Sequence, residues 1–187
     1  MAPPVDARPT VIVAVNPPPV FPAAVYDVGL TAHVASGRRN EHAMTAGLKT
    51  LAYTDAVAAL LEARRAGAEE ALFLDTEAHC SEATSSNLFA WMGNTLVTPP
   101  VSCGALPGIT RAAVLELASA LGVARAERAF GLDELLGANE AFLTSSLRGL
   151  APLVQVGAHP IGRGTPGALT RQLADAYAAL IARECGT

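Results

Sequence analysis

A mixed α/β domain is the fold class that the sequence predicts, and three patterns support it. Short runs rich in β-branched and other apolar residues are typical of buried strands, and they occur at 10–15, 71–74, 88–92, 95–98, 140–144 and 153–156. Longer stretches with apolar residues at helical spacing begin at Thr54, Thr110 and Thr165. The Gly93-Asn94 pair between two strands is typical of a hairpin. Hairpins interrupt the alternation of strand and helix, so the pattern favours a mixed α/β or α+β sheet over a regular βαβ repeat.

The N-terminal quarter is predicted to be mostly extended. Residues 1–9 form a loose tail, and the β-branched string TVIVAV at 10–15 is predicted as a strand. Four prolines between 16 and 22 indicate an extended connector. Residues 25–34 supply one or two strands, and the polar stretch 36–45, with Arg38 and Arg39, is predicted as a loop.

The remaining elements follow in order. A helix over 54–66 is ended by Gly67, and its predicted buried face contains Val57, Leu60 and Leu61. A strand at 71–74, a turn at 75–78, a strand to 83 and the hairpin come next, before a loop at 99–108. After the helix from Thr110 and the strands at 140–144 and 153–156, Thr165-Pro166 is predicted to open the last helix.

The composition excludes several functional classes. The 187 residues are 51% hydrophobic and 16% charged, enough to bury a core of good size. The net charge of −4 disfavours binding to nucleic acid or to an anionic membrane, and no apolar run has the length of a membrane span. Three widely spaced cysteines predict free thiols, and the four histidines show no metal-ligand spacing. We therefore expect a cytoplasmic protein without a metal site.

Lys49 is the only lysine among thirteen basic residues. Arginine can replace lysine in surface ion pairs but cannot form a Schiff base, because a guanidinium group stays protonated. A single retained lysine thus indicates a chemical role, although a chance surface lysine would give the same count. We expect Leu48 and Leu51 to desolvate its amine partly, and Tyr53 lies four residues further on, within reach of the same site.

Three more segments carry groups that could serve one site. Glu82 follows the 75–78 turn in a hydroxyl-rich stretch, and it is either a cleft carboxylate or a solvated acid. In GALPGITR, 104–111, a bend precedes a helix N-terminus, which suits phosphate binding but also ordinary capping. The string TSSLRG, 144–149, offers hydroxyls and N–H groups for a second contact with a phosphate, or is an ordinary polar loop.

The ordered combination of these motifs resembles the class IV, fold-type IV family of pyridoxal-phosphate enzymes. The resemblance is strong from Lys49 to Leu121 and looser to the C-terminus, and it rests on KTLAY (49–53), LDTE (74–77), SE with NLF (81–82, 87–89), TP (98–99), LPGITR (106–111) and TSS (144–146). The family includes branched-chain and D-amino-acid aminotransferases, (R)-selective amine transaminases and 4-amino-4-deoxychorismate lyase. The resemblance implies the large cofactor-binding domain of this fold and pyridoxal 5′-phosphate as cofactor.

By position, the resemblance also implies roles for single residues. Lys49 matches the lysine that holds the cofactor as an internal aldimine, Tyr53 the hydroxyl near O3′, and Glu82 the acid that pairs with the pyridine nitrogen. Leu106 matches the residue that packs on the ring. The contacts with the phosphate are matched by Ile109, Thr110 and Ser146. The chemistry agrees, because the cofactor needs an amine, an anion near its pyridinium and N–H donors for its phosphate.

This chain departs from the family in two places. Ala78 occupies a turn position at which the family usually has glycine, so the geometry of that turn is in question. The family's N-terminal small domain, with its phosphate-binding arginine, has no counterpart in this sequence, and neither Arg38 nor Arg39 can be assigned that role. We therefore expect residues 1–45 to form a tail, linker and first strands, and 46–187 the cofactor-binding C-terminal domain.

The leading functional hypothesis is an aminotransferase that moves an amino group from an amino acid or amine to a 2-oxo acid. A second is 4-amino-4-deoxychorismate lyase, which uses the same lysine and releases pyruvate, and GLKTL (47–51) is similar to that branch as well. A third is a truncated, non-catalytic remnant, since half of the pocket would be missing. The resemblance further implies small-molecule partners and a homodimer.

Overall fold

Nine strands form one mixed sheet in the part of the chain that the computed structural model describes, residues 4–8 and 10–186. The strands are β1 (Leu30–Arg39), β2 (Glu70–Asp75), β3 (Cys80–Ala83), β4 (Asn87–Met92), β5 (Thr95–Thr98), β6 (Arg125–Glu127), β7 (Glu140–Ser145), β8 (Gly149–Val156) and β9 (His159–Pro160). The helices are α1 (Ala24–Asp27), α2 (Thr54–Arg65), α3 (Ile109–Ala120), α4 (Leu132–Leu136) and α5 (Ala168–Cys185), and a 3-10 turn covers Val101–Cys103.

The sheet is curled so that part of it closes on itself. The strand order is β3-β2-β1-β8-β7-β4-β5-β6, and β3 also pairs with β4. Pairing is parallel for β1–β2, β1–β8 and β5–β6 and antiparallel elsewhere. The hairpin of β4 and β5 and the mixed topology confirm the predicted fold class.

Alternate side chains of these strands fill separate apolar clusters, as the period of two requires. One set, which includes Leu72, Leu88 and Leu143, packs together on one face of the strands. On the opposite face Phe89 and Phe142 stack with ring centroids 5.0 Å apart, and α3 and α5 cover them. Helix α2 lies instead over β1 and β2.

The residues that α2 buries differ from those predicted. Ala56, Ala59 and Ala63 face the sheet, whereas Val57 and Leu61 are about half exposed. The small alanine side chains let the helix lie close to β1 and β2, where Ala59 and Ala63 pack in one cluster with Phe73. The helix bounds agree with the prediction to within one residue.

The predicted strand at 10–15 is wrong. These residues form neither helix nor strand, and Val11, Ile12, Val13 and Val15 are exposed. A β-branched run forms a strand only where a neighbour supplies ladder hydrogen bonds and an apolar surface. No such neighbour lies beside this run among the described residues.

The structure corrects the prediction for residues 25–45, which was strands at 25–34 and a loop at 36–45. Residues 24–27 form α1, and β1 continues through the polar residues to Arg39. Pairing with β2 carries the strand this far, since Arg38 and Arg39 lie opposite Leu74 and Asp75. Arg39 is thereby fixed on a strand rather than in a loop.

Helix α5 begins at Ala168, three residues after the predicted start. The Glu140 carboxylate accepts hydrogen bonds from the N–H groups of Leu169 and Thr170, at 3.1 and 2.9 Å, and so caps the helix from β7. A side chain at Gly167 would collide with Glu140, because its Cβ would lie 1.8 Å from the carboxyl carbon. This cap between distant residues replaces the predicted Thr165-Pro166 start.

Short elements are the ones that the sequence patterns did not predict. The strands β6 and β9 have three and two residues and α4 has five, too few to show a periodicity. Among the described residues, no helix combines the length and the apolarity needed to cross a membrane.

Candidate functional site

Lys49 lies on the irregular segment that joins β1 to α2. Its amine donates a hydrogen bond to the Tyr53 hydroxyl at 2.8 Å. The segment is anchored at its start, because the Glu41 carboxylate accepts hydrogen bonds from the N–H and the hydroxyl of Thr76. These bonds lower the pKa of Glu41 to about 2. The only lysine of the chain is thus placed near α2 and beside a tyrosine hydroxyl.

The expected desolvation of Lys49 by its neighbours is wrong. Leu48 and Leu51 are 62% and 99% exposed, and Lys49 itself is exposed. The segment runs over the surface without helix or strand, so no packed element lies against these leucines. Any burial of the amine must come from a bound molecule or another part of the protein.

Glu82, on β3, is the buried carboxylate of the site. Its Oε2 accepts a hydrogen bond from the Leu106 N–H at 2.8 Å and a longer one from Asn87 Nδ2 at 3.3 Å. Its Oε1 lies 2.9 Å from an Arg39 nitrogen. The arginine in turn lies over the Phe73 ring, 4.5 Å from its centroid.

Opposing effects act on the charge of Glu82. Burial raises its pKa, while the Leu106 N–H and the charges of Arg39 and Lys49 lower it. Burial is the largest of these effects, so the pKa lies above the ordinary glutamate value. The carboxyl group therefore holds a proton more readily than an exposed glutamate, and a cation placed against it would lower its pKa again.

The N-terminus of α3 forms the other end of the site. Gly108 caps this helix, and no side chain caps it. Within the described chain, the N–H groups of Ile109 and Thr110 have no protein acceptor. The Thr110 hydroxyl lies 3.2 Å from the Tyr177 hydroxyl, so its backbone N–H is the group left for an anion.

Two adjoining cavities bring all seven sequence-predicted residues together. The smaller is lined by Lys49, Tyr53, Glu82 and Leu106, among others. The larger, of about 570 Å³, shares Lys49, Tyr53 and Leu106 with it and adds Ile109, Thr110 and Ser146. Strand register produces this convergence, since Glu82 lies opposite Asn87, and Asn87 lies opposite Thr144 at the end of β7.

Asn87 is a site residue that sequence reasoning did not single out. Its amide donates to the Leu106 carbonyl at 2.8 Å and to Glu82, so it joins the carboxylate to the loop before α3. Gly108 leaves room for it, because a Cβ there would lie 2.1 Å from Asn87 Oδ1. The asparagine in the NLF motif was the available signal.

Arg39 and Arg148 also line the cavities. Sequence reasoning assigned no role to Arg39, and for Arg148 it left open either pairing with a carboxylate or a surface position. Arg148 lies 3.5 Å from the buried carboxylate of Glu70 and over the Phe21 ring, 5.0 Å from its centroid. Each arginine therefore balances a buried acid of the sheet. Neither could be paired from the sequence, because the partners are 43 and 78 positions away.

Ala78 adopts the left-handed conformation that glycine takes without strain, with φ of 67°. The Asp75 carboxylate accepts hydrogen bonds from the N–H groups of Glu77 and His79, at 3.0 and 2.8 Å, and so holds the turn. The turn therefore keeps a conformation suited to glycine despite the substitution.

Replacing Arg39 with methionine should make the stability of the chain more sensitive to pH. Without the arginine charge the pKa of Glu82 rises further, and the folded state then binds a proton that the unfolded state releases. Stability therefore falls as pH rises from the unfolded glutamate value through the folded one. Thermal unfolding of both proteins from about pH 4, near the ordinary glutamate pKa, up to about pH 8 measures this.

The control for this experiment is Arg38→Met. Arg38 is exposed and neighbours Arg39 in sequence, so its loss should leave the pH dependence of the wild type unchanged. If the unfolding temperature changes with pH equally in the Arg39 variant and the wild type, the electrostatic role of Arg39 is contradicted.

Comparison with known proteins identifies the family. Residues 2–156 match the family model described as amino-transferase class IV. The branched-chain-amino-acid aminotransferase of Salmonella typhimurium is 32% identical, over 91% of this chain and 60% of its own length. A putative branched-chain-amino-acid aminotransferase of Methanocaldococcus jannaschii is 30% identical, over 91% of this chain and 58% of its own length.

Solved structures agree with this match. The branched-chain amino acid aminotransferase of Escherichia coli has a TM-score of 0.81 at 32% identity, covering 85% of this chain and 53% of that chain. The enzyme of Thermobaculum terrenum, in its PLP form, has a TM-score of 0.81 at 34% identity, covering 87% and 54%. This chain thus spans little more than half the length of these relatives. By the span of the family match and the agreement in fold, the chain belongs to the class IV aminotransferase family.

Proposed function

We propose that this chain binds pyridoxal 5′-phosphate and serves a branched-chain-amino-acid aminotransferase. The observation that carries the proposal is the convergence of Lys49, Glu82 and the α3 N-terminus on two adjoining cavities. Relatives that carry the name of this activity support the choice of substrate. The activity of the whole protein is included in the proposal, since the chain spans only part of these relatives.

The donors that line the cavities fit this cofactor. The free N–H groups of Ile109 and Thr110 suit its phosphate. The buried hydroxyl of Thr144 borders the same space without a hydrogen-bond partner. Glu82 supplies an anion for the ring nitrogen, and a cavity of about 570 Å³ is in the size range of small-molecule sites.

Each residue has a distinct task in the proposed reaction. When bound, pyridoxal phosphate supplies an aldehyde that bonds to amines and a ring that accepts electrons. Lys49 would hold the cofactor covalently through its amine, and the same amine, as a free base, would take the proton from the α-carbon of the amino substrate. Glu82 keeps a proton on the ring nitrogen, and Tyr53 orients the Lys49 amine through its hydroxyl.

The phosphate end is held by the α3 N–H groups and by Ser146, and Leu106 packs on the ring. Leu106 is well placed for this contact because it lines both cavities. Its backbone is fixed on both sides, since its N–H donates to Glu82 and its carbonyl accepts from Asn87. The same residue thus links the ring to the carboxylate.

A half-reaction tests the proposal and its alternatives. The chain, loaded with pyridoxal phosphate, is mixed with L-leucine or D-leucine, and then with 2-oxoglutarate. We expect pyridoxamine phosphate with one enantiomer and glutamate after the oxo acid is added. Pyruvate release from 4-amino-4-deoxychorismate without an acceptor would support the lyase instead. Cofactor that is bound at Lys49 and never converted would support the non-catalytic reading.

The phosphate site predicts a preference for the phosphorylated cofactor. A hydrogen bond to a charged group contributes about 1.5–3 kcal/mol, so Ser146→Ala should weaken pyridoxal phosphate binding about 10- to 150-fold. Binding of pyridoxal, which lacks the phosphate, should stay unchanged. Absorbance titration of both ligands measures the ratio. Ser119→Ala is the control, since Ser119 lies at the far end of α3 beside Arg125, and an equal loss for both ligands would contradict the assignment.

The proposal also includes the oligomeric state of the protein and its cellular compartment. We propose a cytoplasmic homodimer, as the family resemblance implies. The three cysteines are free thiols, which fits a reducing compartment. The exposed apolar side chains of Met44, Leu48 and Leu51 beside Lys49 offer a surface for burial against other protein. Light scattering of the purified chain measures the mass, and a monomer at all concentrations would contradict the dimer for this chain.

A further inference from the structure

Outside the cavities, one cluster of side chains combines a carboxylate, an imidazole and a thiol. Asp75 ends β2, His79 follows the turn before β3, and Cys103 ends the 3-10 turn. One ligand atom from each of them lies within 4.8 Å of the others. Asp75 and Cys103 are buried and His79 is partly exposed, so solvent reaches the cluster on the side of His79.

The geometry is close to that of a tetrahedral zinc centre. Zinc lies about 2.0–2.3 Å from oxygen, nitrogen and sulfur ligands, so neighbouring ligand atoms are about 3.3–3.7 Å apart. Asp75 Oδ2 and His79 Nδ1 are 3.3 Å apart. The Cys103 sulfur lies within 4.8 Å of both atoms, so side-chain shifts of about 1 Å or less would bring all three to the spacing of zinc ligands.

The Asp75 carboxylate is already oriented for such a role. Its Oδ1 is held by the N–H groups of Glu77 and His79. Its Oδ2 contacts His79 Nδ1 at 3.3 Å, and a metal ion between the two atoms would take the place of this contact. Carboxylate oxygens fixed in this way by hydrogen bonds are typical of metal centres.

The local charge also favours a cation. The carboxylates of Asp75, Glu41 and Glu77 all lie near the Cys103 sulfur. The carboxylates thus create a negative potential at the sulfur. A divalent ion would offset this potential, and the thiol proton would leave to solvent as the sulfur–metal bond forms.

We propose that Asp75, His79 and Cys103 bind one zinc ion, with water in the fourth position. The site joins the β2–β3 turn to the loop before α3. Thr76, next to Asp75, holds Glu41 at the start of the Lys49 segment, and a Cβ at Gly104, next to Cys103, would touch Arg39 and Glu41. Zinc would therefore tie the β2–β3 turn to two segments that contribute residues to the cofactor cavities, the Lys49 segment and the loop before α3. Asp75 and His79 are four residues apart, but Cys103 lies 24 positions after His79, so the sequence shows no metal motif.

Metal analysis of the purified chain tests the proposal. After dialysis against zinc and then against buffer, we expect one zinc per chain. Cobalt in its place should give the charge-transfer absorption of a thiolate ligand. Cys103→Ser and His79→Gln should each weaken zinc binding about 100-fold or more, while Cys185→Ser, at the exposed end of α5, should not.

Each result of the metal analysis either supports or overturns the zinc site. Zinc that is absent from the wild type, or retained unchanged in both ligand variants, would overturn the proposal. Circular dichroism without metal shows whether a variant is folded, and if Cys103→Ser is not, the partly exposed His79→Gln variant gives the answer. Loss of zinc only with Cys185→Ser would place the metal at the C-terminus and would also overturn the proposal.

Discussion

Amino transfer should fall by a factor of about 10⁴ or more when Lys49 is replaced with arginine. Arginine keeps the positive charge near Tyr53 and Glu82 but has no free amine at neutral pH. The variant therefore loses both the covalent bond to the cofactor and the base that moves the α-proton. The half-reaction with leucine, normalised to bound cofactor, measures the loss.

A second variant tests whether the activity requires a lysine at position 49 or only a lysine somewhere in the chain. In the double variant Lys49→Arg, Arg38→Lys the chain again has one lysine, now at an exposed position on β1. We expect this protein to be as inactive as the single variant. Recovery of amino transfer in the double variant would contradict a role that depends on the place of Lys49 in the cavities.

Replacing Glu82 with glutamine should lower the rate of the half-reaction about 10²- to 10³-fold. The amide can still accept the Leu106 N–H bond, so the loop before α3 keeps its contact. It cannot stabilise a positive charge on the ring nitrogen, and it leaves Arg39 without its ionic partner. Cofactor attachment at Lys49 should persist, because the two tasks use different groups.

Glu116→Gln is the matched control for this change, since Glu116 is an exposed acid on α3 away from the cavities. Its half-reaction should equal that of the wild type. If Glu82→Gln reacts at the wild-type rate while it holds cofactor, the proposed role of Glu82 is wrong. A second variant, Arg39→Met with Glu82→Gln, removes the unpaired arginine and shows whether loss of the acid or exposure of the cation causes the effect.

Strong local patterns predicted most of the sheet and the long helices. The strand at 71–74, the Gly93-Asn94 hairpin and the helix from Thr54 each depend on residues near in sequence, and all appear in the structure. The start of α5 could not be predicted in this way, because Glu140 caps it from a strand 29 positions away. The β-branched run at 10–15 failed for the same reason, since a strand needs a partner that local sequence does not reveal.

The candidate site likewise combines residues that local motifs predict with residues that only contacts between distant segments define. The motifs that resemble the family supplied seven residues, and all seven line the two cavities, although their roles stay predictions. Arg39, Asn87 and Arg148 were not assigned, because each is defined by a contact between distant strands or loops. The exposure of Leu48 and Leu51 was missed because apolar neighbours in sequence do not bury a lysine unless a packed element lies over them.

The central claim is that Lys49 attaches the cofactor, and one measurement tests it most directly. The chain is incubated with pyridoxal phosphate and reduced with borohydride, which makes the bond between the amine and the aldehyde carbon permanent, and the peptides are mapped by mass spectrometry. The account predicts a phosphopyridoxyl group on the Lys49 peptide and none there in Lys49→Arg. Because the chain has no other lysine, the amine of Met1 is the competing site. Label on Met1 alone, or no label at all, would contradict the account.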